Sequence, residues 1–167
     1  QETGTAVAEI LFGKTNPTAK LTITWPRTIG QIPAHYSQSG SSFVFDYLDT
    51  PRTPEYPFGH GLSFTSFEYS NVSLSQPTIQ RGQSVDVTFT LTNTGPRDGT
   101  EISQVYVSGE EFKIARPVLE LKGFARTSLR SGESRLVTVS LQADDLFFHD
   151  MDLQRVLPAG QYLVRVG

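Results

Sequence analysis

The stretch "ADDLFFHDMD", residues 143–152, sets Asp144, Asp145, His149, Asp150 and Asp152 close together. Carboxylates gathered in this way hold hard divalent cations through oxygen. The spacing fits no calcium loop, however, and in a chain with seventeen acidic residues some carboxylates always fall close. We read the stretch as a polar turn followed by a strand whose alternate side chains face water, and assign no metal. The three histidines, His35, His60 and His149, lie far apart in sequence, and no G-x-S-x-G elbow accompanies them, which argues against a hydrolytic triad. Gly59-His60-Gly61 lacks the rest of a dinucleotide fingerprint and does not follow a strand. Its glycines are expected to serve backbone turns or close approach, which a Cβ resists. No catalytic or cofactor-binding residue is assigned.

The elements that would have to position any site are of three kinds. In "TGTAVAEILFGKTNPTAKLTITWP", Val7, Ile10 and Leu11 recur at helical spacing. Thr3 or Thr5 can cap the start, and Gly13 suits the position just past the end. Asn16-Pro17 makes a turn, and Leu21, Ile23 and Trp25 alternate with threonine as in a strand that Pro26 closes. One helix and one strand cannot bury these faces by themselves, so residues 1–36 are expected to be the tail of a larger α/β layer.

Residues 37–70 have little period and many rings. Phe43, Phe45, Tyr47, Tyr56, Phe58, Phe64, Phe67 and Tyr69 follow Tyr36 at the end of the preceding stretch. A flexible linker is rich in Gly, Ser and charge and poor in rings. These aromatics are expected to pack, each burying about 150 to 250 Å². Between residues 35 and 47 contact with a ligand in a larger assembly stays open, so substrate-binding residues are left unassigned.

From residue 71 to 167 short runs alternate apolar and polar side chains between turns. Val85, Val87, Phe89 and Leu91 alternate with Asp86, Thr88, Thr90 and Thr92. "NVSLSQ", "VDVTFTLTN", "EISQVYVS", "PVLELKGF", "RLVTVSL", "FHDMDLQRV" and "YLVRVG" each read as a strand. Their spacing predicts an immunoglobulin- or fibronectin III-like sandwich. The fold class is therefore mainly β: a sandwich preceded by a partial α/β segment and a long aromatic linker. Asn71-Val72-Ser73 fits a glycosylation sequon, which matters only in a eukaryotic secretory pathway.

The bulk numbers exclude several classes. A net charge of −3 with fourteen scattered Lys and Arg argues against a nucleic-acid partner. No stretch approaches the roughly 18 apolar residues of a membrane span. Cysteine is absent, so there is no disulfide frame and no thiolate metal site. The chain begins with Gln1, not Met, and is expected to be processed or cut from something longer.

Five stretches in order carry a resemblance. "AVAEILFGKTNPTAKLTITWP", "TIGQIPAHY", "YLDTPRTPEYPFGHGLSFTSFEYS", "TNTGPRDGTEISQVYV" with "RPVLELKGFARTSLRSGES", and "PAGQYLVRVG" resemble the C-terminal part of glycoside hydrolase family 3, with His60 and Phe64 where tyrosine is frequent. The resemblance implies an exo-acting, retaining β-glycosidase, a β-glucosidase in first place, with β-xylosidases sharing the domain plan. It implies no cofactor and a periplasmic or extracellular location. Retaining glycosidases need two carboxyl groups across the scissile bond. The family carries its nucleophilic Asp in an N-terminal (β/α)8 barrel and its acid/base Glu in the α/β sandwich domain, both upstream of the matched segment. The chain by itself is therefore expected to be inactive. Its expected partners are those upstream domains, with a β-glucoside or oligosaccharide bound only by the intact enzyme. Leu11, Leu21, Ile23 and Trp25 are expected to face absent partners, so that residues 1–26 invite self-association. The alternative is an independent module holding polysaccharide or a surface protein.

Overall fold

The computed structural model of the chain describes residues 2–37, 49–109 and 117–167. Phe43, Phe45 and Tyr47 lie outside the described residues.

Helix α1 spans Thr3–Leu11. Its N-cap is Glu2 and no side chain caps it, so neither Thr3 nor Thr5 takes the expected role. Both threonines lie inside the helix, past the position from which a side chain caps it. The other end follows expectation. Gly13 has φ 68 just past the helix, and its N–H donates to the Ile10 carbonyl at 2.9 Å. No residue of α1 is buried, and Leu11 and Phe12 are 76% and 89% exposed.

The expected strand through Leu21, Ile23 and Trp25 forms only in part. Trp25 makes one bridge with Tyr56, and the Leu21 N–H and carbonyl pair with His60 and Gly59 at 2.8 Å each. A strand is held by neighbours, and among the described residues only 55–60 runs beside this one. Ile23 and Trp25 are more than half exposed, whereas Leu21 is half-buried, against the expectation that it would face outward with them.

The remainder is a sandwich. One sheet has the order β1-β2-β5, with β1 at Phe67–Leu74, β2 at Ser84–Asn93 and β5 at Ser134–Gln142. The other has the order β4-β3-β8, from Glu120–Leu129, Gly99–Gly109 and Tyr162–Val166. All pairings are antiparallel. Strand β1 starts at Phe67, inside the aromatic stretch, so the linker's last rings already belong to a sheet.

Period-two alternation sends every second residue of β2 inward. Val85, Val87, Phe89 and Leu91 are buried together with Val105, Val107, Leu129, Val137, Val139 and Leu141. Tyr69 lies against Phe89 with ring centroids 5.7 Å apart. Asn71, at φ 53, sits exposed in a β-bulge where the β1–β2 register shifts between Ser70 and Ser73.

"FHDMDLQRV" is not one strand. It is a small hairpin of β6, Phe148–His149, and β7, Arg155–Val156. The reason is Asp150, whose Oδ1 accepts from the backbone N–H of Asp152 at 3.0 Å and of Gln154 at 2.8 Å. A short side chain bonded to the backbone two residues on reverses the chain, and Leu153 takes φ 58 to complete the reversal.

Candidate docking site

Three of the four carboxylates of residues 143–152 are engaged within the fold. Asp145 accepts from the Gln142 N–H at 3.1 Å, closing the capping box of a 3-10 turn at Ala143–Leu146. Asp144 stands 3.7 Å from the Arg81 guanidinium, and Asp150 shapes the hairpin. Among the described residues no three of His, Cys, Asp and Glu gather as metal ligands. His60 lies against Tyr56 at 5.0 Å, His149 meets the Phe147 ring edge-on at 5.7 Å, and His35 is exposed.

The polar chemistry is concentrated elsewhere, where residues 13–20 and 59–65 lie on the sandwich. Asn93 ends β2 and is fully buried. Its Oδ1 accepts from Thr65 Oγ1 at 2.7 Å and from the Gly95 N–H at 3.1 Å. Its Nδ2 donates to the carbonyls of Arg97 at 2.7 Å and Leu129 at 3.3 Å. One amide thus ties the linker to the β2–β3 turn. Gly95 has to be glycine there, since a Cβ would collide with Thr65 Oγ1 and lie 2.6 Å from the Ser66 nitrogen.

The same turn reaches the N-terminal segment. Arg97 donates to the Gly13 carbonyl at 2.9 Å, and its guanidinium lies 5.8 Å from the centre of the Phe64 ring. Asn16 joins three pieces of chain: its Nδ2 donates to the Asp98 carbonyl at 3.3 Å, and its Oδ1 accepts from Ser63 Oγ at 3.0 Å and the Phe64 N–H at 2.9 Å. The turn expected at Asn16-Pro17 falls earlier, at residues 12–15, and Asn16 serves instead as the clasp between helix, linker and sandwich.

Glu101 lies on the inward phase of β3 with Ser103, Val105 and Val107, a costly place for a carboxylate unless it is paired. Lys20 supplies the pair at 2.7 Å, and the Tyr69 hydroxyl donates to Glu101 Oε1 at 3.0 Å. Burial pushes the Tyr69 phenol well above its ordinary range, and the Glu101 charge adds to this, while the Ser103 hydroxyl opposes it. A cleft of about 220 Å³ opens above them, between residues 17–20, residues 61–63 and the Phe67 edge of β1.

Farther along β3, Gly59 lies on Gln104. At φ +81, a Cβ on Gly59 would collide with Gln104 Oε1 and stand 2.5 Å from the Tyr106 hydroxyl. Gly61 is equally close to Lys20, with the Ala19 carbonyl 3.0 Å from the position a Cβ would take. Tyr36 stacks on Phe58 at 4.1 Å. The glycines make the close backbone approach expected of them, and Phe58, Phe67 and Tyr69 are half-buried, whereas Tyr36, Tyr56 and Phe64 stay exposed, against the expectation that the rings pack. Gly59→Ala is expected to cost about 2 kcal/mol, strain plus contact. Gly82→Ala, at φ +77 with nothing within 4 Å, carries the strain alone and is expected to cost about 1 kcal/mol. Equal losses in denaturant unfolding of the two variants would remove the contact from this account.

Sequence reasoning missed Lys20, Asn93, Arg97 and Glu101 as members of a site. Glu101 alone carried a readable signal, being in phase with buried valines.

Two family descriptions match the two ends of the chain. The glycosyl hydrolase family 3 C-terminal domain matches residues 1–64, and the fibronectin type III-like domain matches residues 101–167. The periplasmic β-glucosidase of Salmonella typhimurium is 37% identical over 176 residues, covering 99% of this chain and 23% of that protein. The chain belongs to glycoside hydrolase family 3. Within the family it corresponds to the C-terminal region. A β-xylosidase of Formosa agariphila is 36% identical over 167 residues, covering 98% of the chain and 23% of its own length. The β-glucosidase of Listeria innocua, solved in complex with glucose, superposes with a TM-score of 0.89 at 36% identity, over 98% of this chain and 24% of that one. The chain thus spans about a quarter or less of the length of these family 3 relatives. No helix among the described residues is long and apolar enough to cross a membrane.

Proposed function

We propose that this chain is the non-catalytic C-terminal portion of an exo-acting, retaining family 3 β-glycosidase that removes terminal non-reducing β-D-glucosyl residues. Its own work is to dock the fibronectin III-like sandwich (residues 71–167) against the α/β remnant (residues 1–36) through the aromatic linker (residues 37–70). The observation that carries this reading is the polar seam. Arg97, Asp98, Glu101 and Gln104, from one turn and one strand of the sandwich, are all engaged with residues 13–20 and 59. A seam of this kind fixes the orientation of one unit on the other.

The two carboxyl groups required for double displacement come from the upstream domains, and no cofactor is needed. Glucose is preferred over xylose because the Listeria and Salmonella relatives are β-glucosidases. A periplasmic or extracellular location, by secretion, follows the Salmonella relative. Exposed Leu11, Phe12, Ile23 and Trp25 support both a missing neighbour and self-association of the isolated chain.

The test is hydrolysis of chromogenic aryl β-glucosides and β-xylosides. The pure chain is expected to show no turnover, and the polypeptide extended by its upstream portion to show it. Turnover by the pure chain would mean that its own residues include a catalytic carboxylate pair, and the assignment of catalysis to the upstream domains would fall.

A further inference from the structure

Two large apolar side chains stand equally exposed on the outer faces of the two sheets. Leu136 on β5 and Phe124 on β4 are each 68% exposed. Their surroundings differ. Leu136 lies opposite Thr90 in a face of hydroxyls bonded to one another, Thr88 with Thr138 at 3.3 Å and Thr92 with Ser134 at 2.8 Å. That face is polar and satisfied within itself, and water suits it. Phe124 lies opposite Gln104. Gln104 is the residue on which Gly59 of the linker rests, and it is only 6% exposed although it points outward from mid-strand.

The linker therefore lies on the outer face of β3 at Gly59, beside Phe124 of the edge strand β4. Along its path lie Trp25 and Tyr56, bridged to each other and 53% and 43% exposed, then the Tyr36–Phe58 stack. Phe124 stands next to Gln104, the residue that carries Gly59 beside Phe58. Exposed rings of both units thus adjoin the Gly59–Gln104 contact, a surface open to one body that touches both. Arg126 on β4 and Arg165 on β8 give the sandwich end a basic margin.

We propose that the outer face of the β4-β3-β8 sheet, centred on Phe124, is a second docking surface whose occupant is the upstream catalytic portion of the same polypeptide. The inference rests on the reading given under Proposed function and deepens it. The sandwich is gripped from two sides, by the α/β segment at the polar seam and by the upstream body at Phe124. The occupant's contact region is apolar with an acidic rim, to match the arginines. Two facts select this occupant: the patch is continuous with a seam already formed, and family 3 relatives are four to five times as long as this chain.

The chain has no cysteine, so a single introduced thiol is a unique probe within it. Phe124→Cys and Leu136→Cys are made both in this chain and in the polypeptide extended by its upstream portion, and thiol alkylation at each site is followed by peptide mass spectrometry. In the short chain both sites are expected to react at similar rates. In the extended polypeptide alkylation at 124 is expected to slow tenfold or more, with the rate at 136 changing less than twofold. An unchanged rate at 124 in an extended polypeptide that hydrolyses aryl glucosides overturns this inference and leaves the function standing. An extended polypeptide without glycosidase activity overturns the function itself. Slowing at 124 in the short chain on addition of soluble β-glucan assigns the face to sugar and overturns the docking proposal.

Discussion

Replacing Asn93 by alanine should lower the stability of the chain by about 3 kcal/mol and its melting temperature by about 10 °C. The amide is fully buried and makes four hydrogen bonds, two as acceptor and two as donor. Alanine would leave the Thr65 hydroxyl, the Gly95 N–H and the carbonyls of Arg97 and Leu129 without their partner. Each buried polar group left unmade costs about 1–3 kcal/mol, and partial rearrangement keeps the sum below the maximum. Asn93→Asp separates the two halves of the network. Its carboxylate still accepts from Thr65 and Gly95 but faces two carbonyl oxygens where the amide donated. It should not restore stability at neutral pH. A loss below about 1 kcal/mol for Asn93→Ala in denaturant unfolding would mean that the turn is held by its backbone bonds alone.

The second large effect is expected at Glu101. Removing one member of a buried ion pair strands the other, at a cost of about 3–5 kcal/mol. Lys20 keeps some access to the cleft, with its side chain 21% exposed against 9% for Glu101. The low end of the range, about 3 kcal/mol, is therefore expected for Glu101→Ala. The double variant Lys20→Met with Glu101→Leu should recover most of the loss, since it leaves no charge to desolvate. Failure of the double variant to improve on Glu101→Ala would remove the stranded lysine as the cause.

Tyr69 reports on the same pair. Its phenol holds its proton more tightly in the folded chain than the ordinary value of about 10 allows, through burial first and the Glu101 charge second. The group's contribution to stability is complete below pH 10. It is lost as pH rises from there towards the folded value, because the unfolded chain releases the proton first. Wild type should lose more stability across that window than Tyr69→Phe, which keeps only the raised Tyr106 phenol. Glu101→Ala should lower the Tyr69 pKa in a spectrophotometric titration, yet leave it raised, because burial remains.

How much of this was legible depends on the range of the forces concerned. Alternation in β2 gave its buried face because side-chain direction in a strand is a local property of the backbone. Gly13 marked the end of α1 for the same reason, since a left-handed residue is chosen locally. Threonine capping failed because the cap position falls at Glu2, one residue before the first threonine, and Thr3 and Thr5 lie within the helix. The hairpin in "FHDMDLQRV" was hidden because apolar spacing favoured a strand, while one aspartate side chain reversed the backbone.

The amino-acid sequence by itself determined the sandwich, the helix end, the glycines that admit close approach and the resemblance to family 3. These depend on periodicity, on backbone freedom at single residues, or on short motifs in order. Only the tertiary structure decided the polar seam. Asn16 meets Asp98 and Arg97 meets Gly13 across 82 and 84 positions of chain. Which polar groups meet at such separations depends on where the core brings two surfaces together. No local pattern encodes that, because the partner of each group is absent from its own neighbourhood until the strands have paired.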